Sequence, residues 1–211
     1  MTAGASLFLS AALLFAALNW FSKQRAIKVL EYVSKPTTLT LLVIVAVLIH
    51  PTDGGVRAWF VAALVLSLLG DVLLMLPKEQ FVGGLAAFLL AHVCYIAGFV
   101  ASGVHWWAVA LALVGTAIVV APVARRILRG VGATEPGLRP PVVAYLVVIA
   151  TMLACAIASG NAFAIAGAAL FVTSDSMIAW DRFVGPFAAA PVGIMYTYHV
   201  AQGCLVLSLL H

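Results

Sequence analysis

Two aspartates stand inside otherwise apolar segments of the chain. Asp71 lies in LSLLGDVLLMLP and Asp175 lies in GAALFVTSDSMIAW. Inserting an aspartate near the centre of a membrane helix costs about 3 kcal/mol of free energy, so two of them indicate a functional role. Burial disfavours the charged form of a carboxyl group, and a nearby carboxylate disfavours it further. One aspartate can therefore hold a proton while the other is ionised, as paired general acid and base catalysis requires. The structural alternative is that each carboxylate only hydrogen-bonds a neighbouring helix, for instance Asp71 with Lys35.

Other polar side chains accompany the two acids. His92 and Tyr95 are three residues apart, and Tyr198 and Gln202 are four apart, so each pair shares one face of a helix. Three further polar residues are expected at the depth of the aspartates: Asn19, Lys35 at the start of its apolar segment, and Ser174.

The usual metal and nucleophile motifs are missing from the sequence. It has no HExxH, no CxxC and no GxSxG, the spacings typical of zinc sites and nucleophilic serines. Ser174 adjoins Asp175, but adjacent residues of a helix point about 100° apart and cannot act as a dyad. Cys94, Cys155 and Cys204 each lie in apolar segments and are read as small buried side chains. We therefore expect no metal and no other cofactor.

The elements that position these residues are predicted to be membrane helices. Of 211 residues, 65% are hydrophobic and 9% charged, against about 25% charged in soluble domains. Basic residues follow the first apolar segment, so we interpret that segment as a retained span and not a signal peptide. The prediction is an all-α, polytopic membrane protein forming a single bundle over residues 1–211. Its eight transmembrane helices are expected near 3–21, 35–50, 57–76, 81–101, 105–122, 141–159, 161–180 and 190–209.

Basic residues are placed asymmetrically between these spans. Only Arg57 falls in an even-numbered connection. Ten of the eleven lysines and arginines fall in odd-numbered connections: Lys23, Arg25, Lys28, Lys35, Lys78, Arg125, Arg126, Arg129, Arg139 and Arg182. The positive-inside rule makes that side cytoplasmic and places both termini outside. The polar residues then line a cavity that opens to the cytoplasm and is closed by apolar outer halves. The modest net charge of +4 indicates orientation, and we expect no nucleic-acid partner.

The order of motifs suggests an internal repeat. Asp71 is followed by FVGG and then His92, while Asp175 is followed by FVGP and then Tyr198. We predict two parallel four-helix halves, 1–103 and 104–211, related by an axis along the membrane normal.

Several of these segments also resemble a known family. GDVLLMLP, FVGGLAAFLLAHVCYIAGF, GAALFVTSDSMIAWDRF and YTYHVAQ, with SKP ahead of them, resemble the lysoplasmalogenase family of YhhN-like membrane proteins. The resemblance runs from Lys35 to Gln202 and keeps the motif order. The family commonly has Tyr-Tyr before Ala-Gln, whereas His199 holds the second position here. Tyr198 therefore matches the pattern, but no catalytic role carries over to His199.

The resemblance implies hydrolysis of the vinyl ether bond of lysoplasmalogens. The products are a fatty aldehyde and glycerophosphocholine or glycerophosphoethanolamine. Protonation of the vinyl carbon gives an oxocarbenium ion that water traps, so the reaction needs a proton donor and a negative charge, as glycoside hydrolysis does. We expect Asp71 and Asp175 to supply them, in either order, and Lys35 to bind the phosphate. The remaining expected substrate-binding residues are His92, Tyr95, Tyr198, Asn19, Ser174 and Gln202. The expected partners are a lysophospholipid substrate and membrane lipid, and the sequence leaves the oligomeric state open.

Three other functions compete with this one. Intramembrane acids in a duplicated bundle are also typical of proton-coupled transporters, although the outer halves offer no second polar access path. A membrane lipid hydrolase using a metal held by His92, His199 and an aspartate is the second alternative. A structural or assembly protein is the third alternative, and it does not explain why two acids lie inside the membrane.

Overall fold

The chain forms eight long helices. The computed structural model describes residues 2–49, 54–77 and 80–210. Lys78, predicted in the third connection, lies outside these ranges. Within them there is no strand, and every long helix is apolar and long enough to cross a membrane. The helices are α1 (Ala3–Arg25), α2 (Lys28–Leu48), α3 (Gly54–Met75), α4 (Phe81–Ala101), α5 (Trp106–Thr134), α6 (Arg139–Ala158), α7 (Ala162–Phe183) and α8 (Ala190–Leu207). The predicted all-α membrane fold with eight spans is confirmed.

Successive helices pair into four hairpins. The closest packing joins α1 to α2, α3 to α4, α5 to α6 and α7 to α8. Because helices that pack side by side through short connections run in opposite directions, the chain crosses back and forth. The connections within the four hairpins therefore share one side, here called the basic side. Which side of a membrane this is stays a prediction.

Individual helix ends follow local sequence chemistry. Thr2 caps α1 by accepting a hydrogen bond from the backbone N–H of Ala5, and Asn161 caps α7 by accepting from Phe163 and Ala164. Side-chain oxygens in these positions satisfy backbone donors that a helix start leaves open. Ala26, with φ 54°, takes the left-handed conformation that ends α1.

The helices differ in how deeply they are buried. The main core draws on α2, α3, α4, α6, α7 and α8, whereas α5 buries only Val109, Thr116, Ile127 and Val131. Exposed leucines, valines and tryptophans suit a surface that faces lipid. At its basic end α5 approaches α7 closely, because a Cβ on Gly130 would collide with the carbonyl oxygen of Phe183. Small residues permit such contacts between membrane helices.

Two predicted helix boundaries were wrong. Helix α2 begins at Lys28, so Lys35 lies two turns inside it and does not open it. We interpreted Lys-Pro as a helix start, but Glu31 pairs with Lys23 at 3.0 Å and Lys28 at 3.3 Å, which stabilises the extra turns. Helix α5 continues past Pro122 to Thr134. Its arginines at 125, 126 and 129 therefore belong to a helix and not to a connection.

Candidate functional site: two aspartate clusters

Asp71 lies on α3 in a sealed cluster. Its Oδ1 is 3.0 Å from the Lys35 Nζ on α2, and the Tyr198 hydroxyl on α8 donates to its Oδ2 at 2.8 Å. The residue is 1% exposed and Lys35 is 6% exposed. A buried ion pair of this kind keeps its charges only while both partners and their hydrogen bonds are in place. The cluster is thus a charged unit that joins three helices.

Asp175 lies on α7 with a different pair of partners. His92 Nε2 on α4 is 3.2 Å from Asp175 Oδ2, and the hydroxyl of Tyr145 on α6 donates to the same oxygen. The Tyr145 hydroxyl is also 3.1 Å from His92 Nε2, so the three groups form a triangle. With the Tyr145 hydroxyl proton directed at Asp175, both oxygens can accept a hydrogen bond from a proton on His92 Nε2.

The free atoms of this triangle matter for proton transfer. Both hydrogen bonds end on Oδ2, and in the described part of the chain Oδ1 of Asp175 has no hydrogen-bond partner. Nδ1 of His92 is buried and equally without a partner there. Asp175 keeps 13% of its side chain exposed, against 2% for Asp71. One carboxyl oxygen therefore stays available for a proton and for a reacting group.

An aromatic layer separates the two clusters. The ring of Phe171 packs edge-on against His92 and Tyr198, with ring centroids 4.6 Å and 5.4 Å apart. The ring of Phe88 packs against both Phe171 and Tyr198. The hydrogen bonds of the two carboxyl groups go to Tyr198 for Asp71 and to His92 and Tyr145 for Asp175, and none joins the two groups. Asp71 and Asp175 are neighbours and do not share one proton directly.

The remaining predicted site residues make hydrogen bonds that join one helix to another. The Tyr95 hydroxyl on α4 donates to the side-chain oxygen of Gln202 on α8. Asn19 on α1 donates to the hydroxyl of Ser34 on α2 at 3.1 Å. Ser174 donates to the backbone carbonyl of Ile194 at 3.1 Å and holds α7 against α8.

An apolar cavity opens beside the Asp175 cluster. Residues from α3, α4, α5, α6 and α7 line it. Asp175 and Tyr145 line it, and Asp71 and Lys35 do not. Its other walls are almost entirely hydrophobic, with Leu85, Phe88 and Ile149 among them. The arrangement offers one carboxyl group and one hydroxyl group to an apolar ligand that carries few polar atoms.

Tyr145 is the functional candidate that sequence reasoning missed. It stands by itself in the apolar segment VVAYLVVIA of α6, and we did not single it out from the sequence. A tyrosine hydroxyl buried in lipid needs a hydrogen-bond partner, and that requirement was the available signal. His199, the ligand of the metal-dependent alternative, accepts from Trp20 Nε1 at 3.2 Å and contacts neither aspartate. In the described ranges, no three His, Cys, Asp or Glu side chains are grouped as metal ligands.

Comparisons with known proteins identify the family of the chain. The model of the YhhN family matches residues 30–209. The human protein named lysoplasmalogenase TMEM86B is 35% identical over 158 residues, which are 75% of this chain and 66% of that protein. The mouse protein of the same name is 35% identical over 171 residues, 81% of this chain and 72% of its own.

A bacterial relative has a similar sequence identity. A Mycobacterium tuberculosis protein named lysoplasmalogenase is 33% identical over 184 residues, 78% of this chain and 65% of that protein. The chain thus spans about two thirds of the length of the curated relatives it matches. No solved structure matches the chain.

Proposed function

The chain belongs to the YhhN family, and from this premise we propose that it is a lysoplasmalogenase-type hydrolase of the membrane. Its substrate is a lysophospholipid whose single chain is attached through a vinyl ether. The products are a fatty aldehyde and glycerophosphocholine or glycerophosphoethanolamine. Relatives at 33–35% identity bear the name lysoplasmalogenase, which supports the reaction class.

The position of Asp175 is the observation that carries the proposal. Its carboxyl group stands on the wall of an apolar cavity and is held by Tyr145 and His92. A hydrocarbon chain fits such walls because it has no polar groups to satisfy. The vinyl ether carries one weakly basic oxygen and a polarised double bond, so the only strongly polar contact that it needs is the proton donor.

The two clusters then divide the acid chemistry. Two carboxylates in one poorly solvated region are costly to ionise together, and Asp71 has an ammonium group as its partner. We therefore assign the role of proton donor to Asp175, whose Oδ1 is unengaged. Asp71 acts as the fixed negative charge behind the aromatic layer, and Lys35 and Tyr198 hold it there.

The reaction follows from this assignment. Asp175 transfers its proton to the β-carbon of the vinyl ether, and the π electrons form the new C–H bond while the ether oxygen shares the positive charge. The resulting carboxylate, beside His92, stabilises the oxocarbenium ion and accepts a proton from the water that attacks the α-carbon. The hemiacetal then breaks its C–O bond to release the aldehyde, and the glycerol oxygen takes up a proton. The net change is the addition of one water.

Aldehyde release by the purified protein in detergent tests this function. Wild-type protein should release fatty aldehyde from lysoplasmalogen, and Asp175→Asn should lower turnover by about 10²–10⁴-fold, the usual worth of general acid–base catalysis. Asp181→Asn is the matched control on the same helix, because its Oδ1 only accepts from the backbone of Phe187 and an asparagine keeps that oxygen. Normal turnover by Asp175→Asn would refute the proposal. Lipid flux in proteoliposomes without aldehyde would favour the transporter.

A further inference from the structure

The cavity at Asp175 continues into a neighbouring groove. Val120 of α5 and Val172 and Ser176 of α7 line both spaces, so the two adjoin along the α5–α7 contact. The groove itself is bordered by α5, α6 and α7 and is mostly hydrophobic. A molecule seated at Asp175 can therefore extend along α7 without crossing the packed core.

At its basic end the groove reaches a cluster of arginines. Val123 and Trp180 line both the groove and a shallow depression beside it. The depression is formed by Arg125, Arg126 and Arg129 together with those two residues and Pro122. The guanidinium of Arg126 lies over the ring of Trp180, 5.5 Å from its centroid. Three exposed cations thus stand where an apolar path ends.

These arginines have no acidic partner in the ranges that the structure describes. All three are exposed on α5, and no ion pair there involves them, whereas Arg182 pairs with Glu135 at 3.2 Å. Lys35, the predicted phosphate ligand, is 3.0 Å from Asp71 and buried with it. The positive charge available to an anionic ligand therefore lies at the α5 cluster and not at Lys35.

The spacing suits one ligand. Trp180 follows Asp175 by five residues on α7, which places it about 7.5 Å further along the helix axis. In a lysophospholipid, five bonds separate the ether oxygen from phosphorus, a span of roughly 6 Å when extended. The long side chain of Arg126 can cover the difference between the rise along the helix and the shorter ether-to-phosphorus span. Guanidinium groups bind phosphate oxygens through paired N–H donors.

We propose that Arg125, Arg126 and Arg129 bind the phosphate of the lysophospholipid substrate while its vinyl ether lies at Asp175 and its chain fills the apolar cavity. This inference rests on the proposed function for the identity of the substrate. It makes the phosphate the feature by which the enzyme distinguishes lysophospholipids from glycerol ethers without a phosphate.

Two substrates and matched arginine variants test the proposal. Aldehyde release is measured in neutral detergent with lysoplasmalogen and with 1-alkenylglycerol, which lacks phosphate. Arg126→Gln and Arg129→Gln should each raise KM for lysoplasmalogen about tenfold, as the loss of one charged hydrogen bond does. Their kcat should change little, and their KM for 1-alkenylglycerol should stay at the wild-type value. Arg139, an exposed arginine at the start of α6, does not line the depression, so Arg139→Gln should match wild type on both substrates.

Binding separates failure of this inference from failure of the proposed function. A saturated alkyl lysophospholipid, which has no vinyl ether to cleave, is titrated against each variant, with alkylglycerol as the comparison ligand. If wild type cleaves neither alkenyl substrate but loses lysophospholipid affinity in Arg126→Gln and not in Arg139→Gln, the phosphate site stands and the hydrolase does not. If the arginine variants behave like Arg139→Gln in every measurement, the arginines only extend to the headgroup layer and the inference is overturned.

Discussion

The two aspartates occupy matching places in the fold and have opposite surroundings. Asp71 of α3 is sealed and paired with the ammonium of Lys35, whereas Asp175 of α7 borders a cavity and meets only His92 and Tyr145. The same residue type at a similar depth is thus an ion-pair partner in one place and an accessible acid in the other. Position in the bundle gives the depth, and the neighbouring helices decide the chemistry.

The partners come from helices in equivalent positions. Asp71 of α3 is held from α2 and α8, and Asp175 of α7 is held from α6 and α4. Adding four to each helix number, and counting on from α8 to α1, converts α3, α2 and α8 into α7, α6 and α4. The FVGG segment after Asp71 and the FVGP segment after Asp175 also meet, because the ring centroids of Phe81 and Phe183 are 5.9 Å apart. We propose that halves 1–103 and 104–211 are related copies whose partner residues have diverged.

Removing the cation from the Asp71 cluster should have the largest effect on stability. Lys35→Met leaves a buried carboxylate without its counter-charge, a change that typically costs about 3–5 kcal/mol. Thermal unfolding in detergent, followed by circular dichroism, should show a correspondingly lower free energy of unfolding. Tyr145→Phe, which removes a partner of the other aspartate but no charge, serves as the contrast and should lose far less.

A fully apolar replacement separates stability from activity in the same cluster. Lys35→Met combined with Asp71→Leu and Tyr198→Phe removes the charges and the hydroxyl together, so most of the lost stability should return. Turnover should nevertheless stay low, because the negative charge behind the aromatic layer is gone. Wild-type turnover in this triple variant would reduce the Asp71 cluster to a structural role.

The sequence predicted the features that the lipid environment imposes. Eight spans and the intramembrane placement of both acids follow from hydropathy, because a spanning segment must satisfy its backbone internally. The motif order predicted the family, and the match over residues 30–209 confirms it. Lateral neighbours were harder to predict, since helices that are apolar all round do not reveal which faces pack together.

Individual residues illustrate that limit. The pairing of Lys35 with Asp71 was considered only as the structural alternative, because a lysine placed at a helix start suited a lipid phosphate. Its actual place two turns inside α2 depends on the ion pairs of Glu31. Tyr145 was overlooked because its role exists only once α6 lies beside α4 and α7.

The hydroxyl of Tyr145 should have an intermediate effect, and on kcat. Tyr145→Phe removes a donor to Asp175 Oδ2 and leaves the ring in the cavity wall. Because one positioned hydrogen bond to a charged group contributes about 1.5–3 kcal/mol, kcat should fall about 10–100-fold with KM nearly unchanged. Single-turnover measurements separate the chemical step from product release. A rise in KM with unchanged kcat would show that the hydroxyl binds substrate and does not position the acid.

The smallest effect is expected on the far side of α8, where a histidine also lies buried. Trp20→Phe removes the Nε1–H that His199 Nδ1 accepts, a net loss of about 0.5–1.5 kcal/mol, and should lower Tm by about 2–4 °C per kcal/mol. Turnover should stay within about twofold of wild type, because neither residue contacts an aspartate and the expected effect on the barrier is under about 0.5 kcal/mol. A loss of turnover as large as that of Tyr145→Phe would extend the reactive region to α1 and revive the role for His199 that the metal-dependent alternative requires. An unchanged rate would instead confine the chemistry to the aspartate of α7 and leave this second buried histidine as a packing contact.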